Sequence, residues 1–121
     1  MMIEIKTCDY KNVSGLFDKP GGDFNNADGL FFMSAVSGNE LLAGGAADSA
    51  GQIYEIKSLE AGLDAAILKS MLNVMDNRGA EKAFCDNPDL FPLLSECDFI
   101  MENNIMTAKL QGYFNKKCGR G

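Results

Sequence analysis

The 121-residue chain contains no histidine. Ser-His and Cys-His catalysis are therefore excluded, because both need an imidazole to take a proton. A zinc site would also lack its usual nitrogen ligand. Four cysteines, Cys8, Cys85, Cys97 and Cys118, are widely scattered and form no C-x-x-C pair. Reduced, mostly buried thiols are the expectation. No apolar run approaches the roughly eighteen residues that cross a bilayer. The opening Met1-Met2-Ile3-Glu4-Ile5-Lys6 alternates like a strand and lacks the charged-then-apolar order of a leader, so a cytoplasmic location is expected. Repeats, low-complexity stretches and dividing linkers are missing too, and residues 1–121 read as one domain.

Basic charge is scarce until the end of the chain. Residues 1–108 hold seven Lys/Arg against all seventeen Asp/Glu, a net of −10. The last thirteen residues add Lys109, Lys116, Lys117 and Arg120 with no acid, bringing the total to −6. An acidic body repels nucleic acid and anionic membranes, so neither is an expected partner. The basic C-terminal tail, residues 111–121, is suited to its own acidic body, an acidic partner or an anionic ligand.

With 46% hydrophobic residues the chain has enough apolar surface for a core. Ile3 and Ile5 alternate with Glu4 and Lys6 in a half-buried first strand. Residues 11–18 suit one or two helical turns with Val13, Leu16 and Phe17 on one side. Lys19-Pro20-Gly21-Gly22-Asp23 and the following FNNADG are loop chemistry. Leu30–Val36 is a strong strand, turning at Ser37-Gly38-Asn39-Glu40 into Leu41–Ala47. In that partner Gly44 and Gly45 imply a bulge or a close backbone approach. Gln52–Ser58 completes a three-stranded antiparallel meander.

A helix is predicted from about Gly62 to Arg78, because Leu63, Ala66, Ile67, Met71, Val74 and Met75 recur at intervals of three and four. Glu60 and Asp64 suit its N-terminus, and Gly79 suits a C′ stop. Lys82–Cys85 is a short strand parallel to Gln52–Ser58 through a right-handed crossover. Asn87-Pro88-Asp89 opens a second helix ending near Cys97, with Pro92 in its first turn. Phe99–Met101 and Ile105–Leu110 form a hairpin around Asn103-Asn104.

From Gln52 to Leu110 this order and its intervals resemble the second half of a GNAT-type N-acetyltransferase. In that family a Gln/Arg-x-x-Gly-x-Gly/Ala loop presents backbone N–H groups at a helix N-terminus to the pyrophosphate of coenzyme A. The matching stretch is Leu59-Glu60-Ala61-Gly62-Leu63-Asp64-Ala65, where Gly62 fits the first glycine. Leu59 replaces the Gln/Arg and Asp64 the second glycine, which places a carboxylate where phosphate would approach. The loop is about two residues shorter than the family norm if Ile56 closes the strand. The family's coenzyme-contacting Asn precedes the Phe of a Tyr-x-x-x-Gly-Phe signature by twelve positions, as Asn87 precedes Phe99. Leu94 occupies the Tyr position, normally the acid that protonates the leaving thiolate, and Asp98 that of the Gly. The stretch from Phe84 to Leu94 is also similar to the GNAT-like domain of citrate lyase ligases.

The resemblance implies an α/β (α+β) fold, a GNAT-like mixed and mostly antiparallel sheet flanked by helices. It implies an acyltransferase moving an acetyl group from acetyl-CoA to a small amine. Coenzyme A would be held by Gly62, Leu63, Asp64, Ala65 and Asn87, without a metal. Lys116-Lys117-x-x-Arg120 could add cations for its phosphates. As base, Glu55, Glu60 or Tyr54 could act; Glu55 is the catalytic candidate, although alternation with Tyr54 also suits a solvent-facing strand residue. Asn87 could equally be a helix N-cap. Residues 11–29 are too short for the family's two acceptor-site helices, which leaves that side open or completed by another subunit. The alternative is a catalytically inactive GNAT-like module that binds a ligand or protein partner without coenzyme A. As an interaction domain, it would pair with a second copy through an exposed edge and Met33, Met101 and Met106.

Overall fold

A computed structural model describes residues 2–17 and 29–110. The glycine-rich loop after Phe17 and the basic tail, with its proposed phosphate cations, lie outside the described residues.

The first strand, β1, spans Glu4–Cys8 and leads into a helical turn, α1, at Tyr10–Val13. A 3-10 turn at Ser14–Leu16 follows. Three strands come next: β2 at Phe31–Ser37, β3 at Glu40–Ala47 and β4 at Ile53–Ser58. They are antiparallel, and β1 adds to β2, so the sheet order is β1-β2-β3-β4. The first strand thus extends the expected three-stranded meander to four.

After β4 the main helix, α2, covers Leu63–Asn77, with Gly62 as N-cap and Arg78 as C-cap. Ile67, Leu68, Met71, Leu72 and Met75 are buried, whereas Leu63, Ala66 and Val74 of the expected stripe are half-buried and Leu68 and Leu72 lie outside that expectation. Gly79 at φ +94° ends it as expected. The rest of the chain forms β5 (Lys82–Cys85), a 3-10 turn (Pro88–Leu90), α3 (Phe91–Glu96), β6 (Ile100–Glu102) and β7 (Ile105–Lys109). Pro92 falls in the first turn of α3, where its missing N–H costs nothing. Asn103 and Asn104, at φ +52° and +68°, make the tight turn of the last hairpin. These three strands form a second sheet in the order β5-β7-β6.

One core runs under both sheets. It joins the α2 stripe to Met33, Ala35, Ala43, Ile53 and Ile56 of the first sheet, and to Ala83, Cys85, Leu94, Phe99 and Met106 of the second half. A smaller cluster of Val13, Phe17, Phe32 and Ala46 lies with α1 on the opposite face of the first sheet. The glycine pair in β3 is explained by this sandwiching. A Cβ on Gly44 would come within 2.9 Å of Val13 Cγ1, and one on Gly45 within 2.7 Å of Met71 Sδ. Both layers approach the backbone of β3 closely, and the bulges lie elsewhere. They fall at Leu42 and at Tyr54, the residues skipped in the β2–β3 and β3–β4 registers.

Two expectations are corrected here. Met33 and Met106 are buried, because their side chains lie on the core-facing side of β2 and β7; of the three methionines offered as a pairing edge only Met101 is exposed, on edge strand β6. The predicted parallel pair of β4 and β5 shrinks to one bridge, Gln52 to Phe84, supported by Phe84 N–H donating to Gly51 O at 2.9 Å. Beyond that bridge the strands part. Cys8, Cys85 and Cys97 form no disulfide. Among the described residues no group of His, Cys, Asp and Glu could hold a metal ion, and no helix is long and apolar enough to cross a membrane.

Candidate functional site

The parting of β4 and β5 creates a split that opens toward the carboxyl ends of both strands, the end from which α2 departs. Leu59 N–H donates to Leu42 O at 2.8 Å, so odd-numbered residues at this end of β4 face β3. Ile56 and the carbonyl of Tyr54 therefore face the split. Each is satisfied by a side chain. Asn87, just past β5, donates its Nδ2 hydrogen to Tyr54 O at 3.2 Å. Ile56 N–H donates to Glu55 Oε1 at 3.2 Å.

Asn87 has a second role that its sequence position foretold. Its Oδ1 accepts from Asp89 N–H at 3.1 Å and caps the turn beginning at Pro88. One side chain therefore starts the second helical segment and clasps the split.

Glu55 is buried, 7% exposed, which corrects the solvent-facing alternative. The cause is the bulge. Ile53 and Ile56 both belong to the main core, so the two residues between them, Tyr54 and Glu55, turn toward the other face. Simple alternation would have separated that pair.

Tyr54 is fixed by Asp48. Its hydroxyl donates to Asp48 Oδ2 at 2.6 Å, and Asp48 Oδ1 accepts from Ala50 N–H and Gln52 N–H at 2.9 and 3.1 Å. Burial, reinforced by that hydrogen bond and by the charges of Asp48 and Asp86, pushes the phenol up to about 12. A group that holds its proton so firmly is no base at neutral pH, which removes Tyr54 from the three candidates.

The glycine-bearing loop at the α2 N-terminus is largely bonded to itself. Ser58 Oγ donates to Glu60 O and accepts from Glu60 N–H at 3.2 Å. Leu63 N–H reaches Glu60 O at 3.3 Å. Asp64 folds its carboxylate back onto Ala65 N–H at 2.8 Å. Gly62 is at φ +87°, with open space where a Cβ would stand. Leu59 is 69% exposed and offers no polar group. The loop carries Glu60 and Asp64, and the segment after β5 carries Asp86 and Asp89. Neither segment, 59–65 or 86–98, contains a base.

The signature after α3 is filled in another way. Leu94 is fully buried in the core and carries no proton to give. Asp98 stands at φ +72°, the left-handed conformation suited to the glycine it replaces, and Phe99 N–H closes the helix end on Leu94 O at 3.0 Å. The backbone turn is preserved while the acid is absent. The structure thus groups Glu55, Tyr54 and Asn87 at the split and Gly62, Leu63, Asp64 and Ala65 at its mouth. Sequence reasoning missed Asp48; its place in the Asp48–Gly51 turn gave no sign that it would hold Tyr54.

No protein-family model and no curated protein matches the chain. Solved structures do. The chain is similar to the ribosomal-protein-S18-alanine N-acetyltransferase of Escherichia coli, with a TM-score of 0.71 at 12% identity over 90% of this chain and 94% of that one. It is similar to the aminoglycoside 6′-N-acetyltransferase of Enterococcus faecium, with a TM-score of 0.68 at 9% identity over 88% and 97%. A GNAT family acetyltransferase from Elizabethkingia anophelis with acetyl-CoA bound gives 0.63 at 13% identity over 88% and 97%. At these identities the likeness is one of architecture. The chain has the GNAT-type N-acetyltransferase fold.

Proposed function

We propose that this protein is an acyltransferase that moves an acetyl group from an acetyl thioester, at family level acetyl-CoA, to a small-molecule amine in the cytoplasm. The observation that carries the reading is the split between β4 and β5 with a buried carboxylate, Glu55, on its edge. The fold's cofactor would supply the activated acetyl group. The strand-edge groups of β4 fit the thioester arm, with Asn87 at its side. Gly62, Leu63, Asp64 and Ala65 face its far end, where Asp64 fits a phosphate poorly.

For the transfer, the C–N bond forms as the C–S bond breaks. Glu55 takes the proton that the amine loses, the role for which a buried carboxylate beside the acceptor is suited. Leu94 has no proton for the departing sulfur, which leaves solvent as the source. Proximity then carries much of the rate.

A second reading is favoured by Leu94 and Asp64 together: a catalytically inactive GNAT-fold module that binds a ligand or protein partner, possible as a homodimer. Thiol release from acetyl-CoA, followed over a panel of primary amines, separates the two. Amine-dependent release that E55Q lowers by about a hundredfold supports the enzyme. No release with any amine, and no heat of binding from either acetyl-CoA or acetylpantetheine, supports the module.

A further inference from the structure

The two ends of the split ask for different ligand chemistry. Along β4 a donor, Ile56 N–H, and an acceptor, Tyr54 C=O, sit at strand spacing and face the gap. Both are held by side chains, Glu55 and Asn87, that can swing away. An extended ligand bearing amide groups can replace both contacts as an added strand does. At the mouth the position is reversed. The Ala65 N–H is filled by Asp64 and the Glu60 N–H by Ser58, and the two segments at this end, 59–65 and 86–98, carry acids and no base. A neutral arm brings no charge into this acidic end, whereas a dianion must displace the Asp64 carboxylate from the Ala65 N–H.

We propose that the split selects an acyl thioester carried on a neutral, amide-bearing arm, and that Asp64 discriminates against carriers whose arm ends in phosphate. The inference rests on the acyl-thioester reading above and adds the class of carrier. Asp64 acts as an internal occupant of the helix N-terminus, so its charge and its hydrogen bond both oppose a phosphate.

The test is calorimetric titration of acetylpantetheine and of acetyl-CoA into the full chain, as wild type, D64N and D64A. Circular dichroism checks that the helix signal of each variant is kept. Wild type should bind acetylpantetheine at least as tightly as acetyl-CoA. Both substitutions should tighten acetyl-CoA by about tenfold and leave acetylpantetheine within about twofold. A wild type that prefers acetyl-CoA by about tenfold or more overturns the inference and leaves the acyltransferase reading standing. So do variants that change both ligands alike. Absence of binding by either thioester to all three proteins overturns both.

Discussion

The two edges of β4 are satisfied by different means. Toward β3 the strand runs in a ladder from Ile53 to Ser58, broken only at the Tyr54 bulge. Toward β5 it has one bridge and then two side chains, Asn87 on a carbonyl and Glu55 on an N–H. Leaving either group buried and unpaired would cost about 1–3 kcal/mol. Side chains remove that cost as a ladder does, but with a difference. A ladder fixes the register of six residues together, whereas a side chain can rotate away for a ligand. The same strand is therefore fixed scaffold on one side and replaceable contact on the other.

The ladder side should break hardest. A Gly45→Val substitution drives a branched side chain into Ile67 Cγ2 and Met71 Sδ, which already lie 2.8 and 2.7 Å from the position of a Cβ. Overpacking of this kind costs about 3 kcal/mol, because neither β3 nor α2 can retreat without opening the core. Urea unfolding should show the midpoint falling with an unchanged slope. A loss below about 0.5 kcal/mol would mean that α2 is loosely seated and that the comparison is wrong.

The split side should yield less and in separable parts. Asn87→Ala removes both the cap on Asp89 N–H and the clasp on Tyr54 O, at about 1–2 kcal/mol. Asn87→Asp keeps the cap and places an acceptor against the Tyr54 carbonyl, breaking the clasp alone. Hydrogen exchange at Phe84, whose N–H bonds to Gly51 O, reads the outcome. Exchange should quicken in both variants if the clasp supports the bridge. Equal protection in Asn87→Asp and wild type would reduce Asn87 to a cap.

This contrast also marks what the sequence could reveal. The α2 stripe, the Gly79 stop, the Asn103-Asn104 turn and the cap at Asn87 depend on neighbours within a few residues, and each was legible. The closeness of Gly44 and Gly45 to their covering layers was legible as one of two options, because a missing Cβ in a strand has few uses. Less accessible were features set across the fold. The Tyr54 bulge depends on how β4 meets Ala46 and Ala47, and it alone turns Glu55 from a solvent position into a buried one. Met33 and Met106 looked available because alternation alone does not say which face of the strand meets the core. The Asn87 clasp that spans the parted β4 and β5 joins groups 33 positions apart along the chain. Of the candidate site, sequence offered Glu55, Asn87 and residues 62–65 as candidates and missed Asp48; the pairing of Asp64 with Ala65 N–H and of Tyr54 with Asp48 needed the backbone.

The smallest effect concerns that last pair. In the folded protein the Tyr54 phenol is raised to about 12 from an ordinary value of 10.0. A folded value above the unfolded one means that the unfolded chain loses its proton first as pH rises. The stabilising contribution is complete below pH 10, shrinks as pH climbs from there, and is gone once the folded phenol itself ionises near 12. Spectrophotometric titration of the phenols should show a late step that disappears in Tyr54→Phe. Melting curves should show the variant less sensitive than wild type over that window. A Tyr54 that ionises near its ordinary value would mean that Asp48 does not hold the hydroxyl in solution. The bulge would then lose its anchor, and with it the reason for Glu55 to lie buried beside the split.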